Sequence, residues 1–166
     1  MEVIKIQRFK INDLETLEEI MRRNEKYSAP GRNWKKFLQW NISHPEDLYW
    51  KIVLPSGQMI GYIGFAFAKD KETTRDYTSS QEDLFLEIYF HPDYVGGGRG
   101  IKAYTLALDQ ANEILSFKPK KVFASTYIFN IHAREFFKKK CGMKFSHYIP
   151  KYRVFVYDRK INENKY

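Results

Sequence analysis

Cysteine is nearly absent. Cys141 stands alone among 166 residues, which excludes an internal disulfide and a thiolate cluster for a metal. Long apolar runs are missing too: none approaches the roughly 18 residues of a membrane span. No secretion signal is legible, because the opening MEVIKIQRFK alternates apolar and polar residues as a strand does. A reducing cytoplasm is the expected setting. Acidic residues are outnumbered, 20 against 28 Lys and Arg, for a net charge of +8. That excess suits either an ordinary solvated surface or a polyanion such as RNA or the ribosome. No RRM, KH or zinc-finger pattern accompanies it. Aromatics reach 17%, with 12 Tyr and 13 Phe, so a disordered chain is excluded. The length predicts one domain over residues 1–166, large enough for a real core.

Residues 84–111, LFLEIYFHPDYVGGGRGIKAYTLALDQA, organise the rest. Leu84, Leu86, Ile88 and Phe90 alternate with Phe85, Glu87, Tyr89 and His91, which predicts a strand. Pro92-Asp93-Tyr94 stops it. Gly96-Gly97-Gly98-Arg99-Gly100 then leads into a helix marked by Tyr104, Ala107, Leu108, Ala111, Ile114 and Leu115, running to about Phe117. Strand, glycine loop and helix together bind phosphate well. Glycines let amides turn toward an anion, and the helix start adds unpaired donors. Two familiar fingerprints do not fit. A P-loop needs Gly-Lys-Ser/Thr, but Ile101-Lys102-Ala103 follows Gly100, and a GxGxxG beginning at Gly96 meets Ile101 where its third glycine belongs.

Around this centre the chain reads as β, α, α, three antiparallel strands, α, β, α and two final strands. Val3, Ile4 and Ile6 open a strand, and Asn12 with Glu15 has the form of a helix cap before Leu14, Leu17, Ile20 and Met21, a helix to about Arg23. Asn33 caps a second helix through Trp34, Phe37, Leu38 and Asn41, ended by His44-Pro45. Tyr49 to Leu54 and Met59 to Ala68 form a hairpin, with Gly61 and Gly64 marking tight packing or a kink. Lys69 to Asp83 is expected to be a long, mobile connection. Val122 to Tyr127 follows a helix, so a right-handed crossover makes it parallel to Leu84–His91. Ligands bind at the carboxyl ends of such strands. Lys144 to Tyr148 and Tyr152 to Asp158 close the chain as a hairpin.

Val95-Gly96-Gly97-Gly98-Arg99-Gly100, placed just after His91-Pro92, resembles the acetyl-CoA loop of the GNAT-type N-acetyltransferases, Arg/Gln-x-x-Gly-x-Gly/Ala. Val95 replaces the usual Arg or Gln. A second GNAT motif, Asn-x-x-Ala-x-x-φ-Tyr-x-x-x-Gly-Phe with φ apolar, is matched by Asn130, Ala133 and Phe136. Phe137 stands at the tyrosine position, and Gly142-Met143 come one residue late. The resemblance covers nearly the whole chain. It implies an α/β (α+β) GNAT-like fold, with a central mixed sheet whose parallel strands splay between flanking helices.

The same resemblance implies transfer of acetyl from acetyl-CoA, an acyl-donor cosubstrate, to a primary amine by direct attack, without a metal. The residues then expected at acetyl-CoA are Ile88, Phe90, Val95, Gly96, Gly97, Gly98, Arg99, Gly100, Ile101, Asn130, Ala133 and Phe137. Direct attack needs a proton acceptor, a polarised carbonyl and a proton for the leaving thiolate. Relatives often take a glutamate from the strand before the loop, which makes Glu87 the candidate base; a cross-strand ion pair with Lys or Arg is the other reading of it. Phe137 cannot donate a proton, so Tyr127, Tyr148, Tyr152 or solvent would. Trp34, Phe37 and Trp40 are candidates for an acceptor wall, with core packing as their alternative use. Cys141 lies near a helix end among lysines, a setting that favours a thiolate. The acceptor would be a small molecule, a peptide or an aminoacyl group, and nucleic acid enters only if it carries that amine. No membrane partner is expected, and pairing of C-terminal hairpins would make a homodimer. The competing readings are a CoA-binding module without catalysis and a basic nucleic-acid- or ribosome-associated protein.

Overall fold

The computed structural model describes residues 3–161. The first two residues of the opening strand reading, and the last five of the expected domain, lie outside them. Seven strands form one mixed sheet: β1 (Lys5–Gln7), β2 (Tyr49–Val53), β3 (Met59–Phe67), β4 (Asp83–Phe90), β5 (Lys121–Tyr127), β6 (Lys144–Ile149) and β7 (Val154–Lys160), in the order β1-β2-β3-β4-β5-β7-β6. Helices α1 (Leu14–Arg23), α2 (Trp34–Ser43), α3 (Arg99–Ile114) and α4 (Ile131–Glu135) flank it. The described residues cluster into two compact units, one of residues up to 64 and 88–114, the other of residues 65–87 and from 115 onward.

In the first unit, α1 buries Leu17, Ile20 and Met21. These join Phe9, Leu38, Tyr49, Val53, Met59 and Tyr62 in one apolar cluster, with Trp34 and Phe37 packed against it. Asp13, rather than Asn12, organises the start of α1. Its carboxylate accepts from the Lys10 amide at 2.7 Å and holds the nearly buried Lys51 ammonium through both oxygens at 2.9 Å. Asn33 caps α2 as expected, accepting from the Lys36 amide at 3.0 Å. At its other end the Arg8 guanidinium donates to the carbonyls of Asn41 (2.7 Å), His44 (2.9 Å), Tyr49 (3.2 Å) and Asp47. The Asn41 carbonyl in the last turn of α2 and that of its cap residue His44 are satisfied in this way.

In the second unit Ala68, Phe85, Phe123 and Val156 form the core, with Ala66 and Ile149 against it. β5 pairs antiparallel with β7 from Lys121↔Lys160 to Tyr127↔Val154, and β6 pairs with β7 across a bulge near Ser146. β4 and β5 are parallel, but their register runs only from Asp83↔Lys121 to Phe85↔Phe123. Beyond Phe123, β5 has no β4 partner among the described residues. The last hairpin strand starts at Val154 rather than Tyr152, because Pro150–Tyr152 form a turn and Arg153 takes a left-handed φ of 54°.

The segment between β3 and β4 is folded rather than open. Thr74 is fully buried, and its hydroxyl donates to the Ala68 carbonyl. The amides of Lys71, Thr74, Arg75, Tyr77 and Thr78 all find carbonyls within the segment. His147 Nε2 meets the Thr73 carbonyl at 3.0 Å, and its ring stacks on Tyr77.

The β3 glycines answer to close approach. A Cβ on Gly61 would collide with the Tyr89 carbonyl, and one on Gly64 would enter the Tyr49 ring and come within 2.7 Å of the Leu48 carbonyl. Backbone and a packed ring cannot yield as a flexible side chain would. Gly64→Ala is expected to destabilise the fold by about 1–3 kcal/mol, read as a lower urea midpoint with an unchanged m-value.

Candidate acetyl-donor site

β4 ends at Phe90, whose carbonyl accepts from Asn24 Nδ2 at 2.8 Å. Pro92–Tyr94 make one turn, and the Val95 amide closes onto the Pro92 carbonyl at 3.4 Å. Gly96, Gly97 and Gly98 follow with φ of 100°, 61° and 76°. Three successive residues in this region are tolerated only because none carries a Cβ. The turn spends few of its own donors. The Arg99 amide bonds the Gly96 carbonyl and the Lys102 amide the Gly98 carbonyl, both at 3.2 Å. The amides of Gly96, Gly97, Gly98, Gly100 and Ile101 have no backbone acceptor among the described residues. Two of the loop amides, those of Val95 and Arg99, are therefore already used. Gly100 and Ile101 lie in the first turn of α3, which adds its partial positive charge to the same place. Arg99 braces the loop from beneath, donating from Nη1 to the Tyr94 carbonyl at 3.2 Å. α3 itself is fixed by buried Ala103, Tyr104, Ala107 and Ala111.

The second motif is built from one cap and one irregular turn. The Asn130 side chain accepts from the Ala133 amide at 3.1 Å and starts α4. The helix then widens into a π-helical turn, Phe136–Lys140, in which the Cys141 amide reaches back five residues to the Phe136 carbonyl at 3.1 Å. Such a turn holds one extra residue, and this accounts for Gly142-Met143 arriving one position late. Phe137 is buried, with its ring 6.0 Å from that of Tyr157.

Glu87 lies on the β4 face that also carries Phe85. Its carboxylate meets the Lys71 ammonium at 2.6 Å, and both side chains are largely shielded, at 10% and 27% exposure. Lys71 sits above the Phe85 ring, 5.4 Å from its centroid. Strand register sorts the tyrosines. Phe123 pairs with Phe85, so Ser125 and Tyr127 share the face of Phe85 and Glu87. Tyr127 pairs with Val154, whereas Tyr148 pairs with Phe155, the next residue along β7. Tyr148 therefore projects from the opposite face, where its ring packs edge-on against Phe155 at 5.4 Å. Tyr127 ends β5 stacked on Phe129, with centroids 5.2 Å apart. Of the aromatic acceptor candidates, Trp34 and Phe37 pack on Tyr62 and the core, while Trp40 is exposed and stacked on His44. The other reading of Glu87, an ion pair with a Lys or Arg, is met by Lys71, which comes from the segment between β3 and β4 and not from a strand. The open amide of Ile101 was foreshadowed only by its place in the first helical turn.

Cys141 departs from expectation. It is fully buried, and burial pushes its thiol up to about 12, with Arg159 offsetting only part of the effect. The nearby lysines point to solvent and do not stabilise a thiolate. No group of three His, Cys, Asp or Glu side chains able to hold a metal exists among the described residues.

The profile of the acetyltransferase (GNAT) domain matches residues 4–144. The chain belongs to the GNAT acetyltransferases. With the family comes the enzyme class, N-acetyltransferase. No curated sequence matches the chain. Solved structures share the fold at low identity. The Salmonella typhimurium protein yncA with its cofactor acetyl-CoA is 16% identical, with TM-score 0.72 over 98% of this chain and 96% of its own. The aminoglycoside acetyltransferase AAC(6')-Ib, in complex with coenzyme A and kanamycin, is 14% identical, with TM-score 0.76 over 96% and 95%. A ribosomal-protein-alanine N-acetyltransferase from Brucella melitensis is 16% identical, with TM-score 0.69 over 95% and 99%. No helix is long and apolar enough to cross a membrane among the described residues.

The buried thiol makes a direct prediction. Ellman's reagent at pH 8 is expected to leave Cys141 unmodified in the folded protein and to titrate one thiol after unfolding in urea. Because the folded thiol titrates near 12 and an unfolded one near its ordinary value, the unfolded state releases the proton first. This contribution to stability is present below about pH 9 and falls by about 1.4 kcal/mol per pH unit above it. Cys141→Ala is expected to flatten that part of the urea-midpoint profile.

Proposed function

We propose that this chain transfers the acetyl group of acetyl-CoA to a primary amine by direct attack, as a single domain working in the cytoplasm. The observation that carries the reading is the set of unbonded amides at Gly96, Gly97, Gly98, Gly100 and Ile101. A diphosphate needs several convergent donors and gains from a helix start, and a backbone loop supplies both without a cationic side chain. The donor's arm then follows β4 past Ile88 and Phe90. Asn130 and Ala133 at the start of α4, and Phe137 in the turn that follows it, complete the donor site, with the Asn130 cap on the Ala133 amide fixing the helix start. Glu87 accepts the amine proton, and Tyr127, on the same sheet face, returns one to the departing thiolate. The acceptor amine is carried by a small molecule, a peptide or an aminoacyl group.

Calorimetric titration with acetyl-CoA tests the reading, and no binding at millimolar ligand overturns it. Gly97→Val places a branched side chain at a left-handed residue whose Cβ would already lie 3.3 Å from Arg99 Nη1. It is expected to weaken acetyl-CoA binding at least about 10-fold, or about 1.4 kcal/mol, with the thermal midpoint of the ligand-free protein little changed.

A further inference from the structure

We propose that Lys71 is a site of self-acetylation, its amine held against the carboxylate proposed as proton acceptor. This rests on the acetyl-transfer reading above. Five lysines illustrate how unusual Lys71 is. Lys120, Lys139 and Lys151 pair with surface carboxylates and are 68–72% exposed. Lys51 is locked by both oxygens of Asp13 and is 8% exposed. Lys71 alone among them presents a partly shielded ammonium to Glu87, the carboxylate assigned as proton acceptor, at 2.6 Å. An amine that is to attack a thioester must first meet such a base at hydrogen-bond distance.

The rest of the segment holds Lys71 there. The Lys71 amide bonds the Ala68 carbonyl at 3.1 Å, and its own carbonyl receives the amides of Thr74 and Arg75 at 3.0 and 2.9 Å. Thr74 is buried, and His147 clamps Thr73. The backbone of Lys71 is thus fixed, while its four-carbon stem keeps the reach to leave Glu87. In the step, the Lys71 ammonium gives one proton to the Glu87 carboxylate. The neutral nitrogen forms a bond to the thioester carbon, the carbon–sulfur bond breaks, and CoA leaves as thiolate. The second nitrogen proton is lost as the amide forms; one of the two protons reaches the thiolate, and the other leaves to solvent so that Glu87 is again a carboxylate. The product, an N-acetyl-lysine, has no charge, so it releases Glu87 for an incoming amine. Lys71 therefore occupies the acceptor position until it is modified.

The test incubates the purified protein with acetyl-CoA alone and maps acetylated peptides by mass spectrometry, beside calorimetric measurement of acetyl-CoA binding. The expected result is one acetyl group at Lys71, formed at a rate per molecule that does not depend on protein concentration. Lys71→Arg, which keeps the ion pair, is expected to remain unmodified while binding acetyl-CoA as before. Glu87→Gln is expected to slow the modification about 100-fold without a matching loss of affinity. Binding of acetyl-CoA with Lys71 unmodified overturns this inference and leaves the acetyl-transfer reading standing. Modification spread over exposed lysines equally in wild type and Glu87→Gln, or a rate that climbs with protein concentration, also overturns it. Absence of acetyl-CoA binding overturns both.

Discussion

A backbone amide that loses its carbonyl must find another acceptor, and the connection from β4 to α3 is where this chain leaves most of that demand open. Left-handed geometry at Gly96, Gly97 and Gly98 turns the peptide units so that only the Arg99 and Lys102 amides recover partners inside the turn. The cost is tolerable because the three glycines are exposed and water can serve their donors. The same turn runs directly into a sixteen-residue helix with the buried face Ala103, Tyr104, Ala107 and Ala111. A loose glycine loop would pay an ordering entropy on meeting an anion. This one is held by the helix behind it and by Arg99 against the Tyr94 carbonyl.

The other constraint is a carboxylate among rings. Glu87 is flanked two residues away on its own strand face by Phe85, a core residue, and by Tyr89, which packs against the other core cluster. A charged group so placed needs a counter-charge, and Lys71 provides it from a segment that sequence alone would leave as solvent-exposed connection. Tying that segment down takes four unlike contacts: a buried threonine, a stacked tyrosine–histidine pair, a histidine on a carbonyl, and the ion pair between Lys151 and Glu72 at 3.0 Å.

What could be read in advance was whatever a residue type forces locally. Adjacent glycines after a strand forecast a turn that frees its amides, Asn33 forecast a helix start, and the period of Leu17, Ile20 and Met21 forecast the buried face of α1. The parallel direction of β5 beside β4 followed from the handedness of the crossover, whereas the insertion of β7 between β5 and β6 did not. Illegible were the features that depend on partners far along the chain. Lys71 and Glu87 are joined across a folded loop, Asp13 displaces Asn12 because Lys51 is there to meet it, and Cys141 is buried despite three neighbouring lysines. Tyr148 looked equivalent to Tyr127 because only the β6–β7 register, with its bulge at Ser146, decides which face each takes.

That register bears on the proton needed by the leaving thiolate. The π-helical turn inserts a residue after α4, and Phe137 falls into the core beside Tyr157. A hydroxyl restored there by Phe137→Tyr would have to be satisfied in a packed, apolar site, so the position is committed to packing rather than to acid catalysis. Tyr148 projects from the sheet face opposite to that of Glu87. Tyr127 remains on the Glu87 face at the end of β5, where the parallel pairing with β4 has already stopped. Its ring is stacked on that of Phe129. Glu87 and Tyr127 therefore lie on neighbouring strands and on one face of the sheet, whereas Phe137, at the tyrosine position of the second motif, is buried.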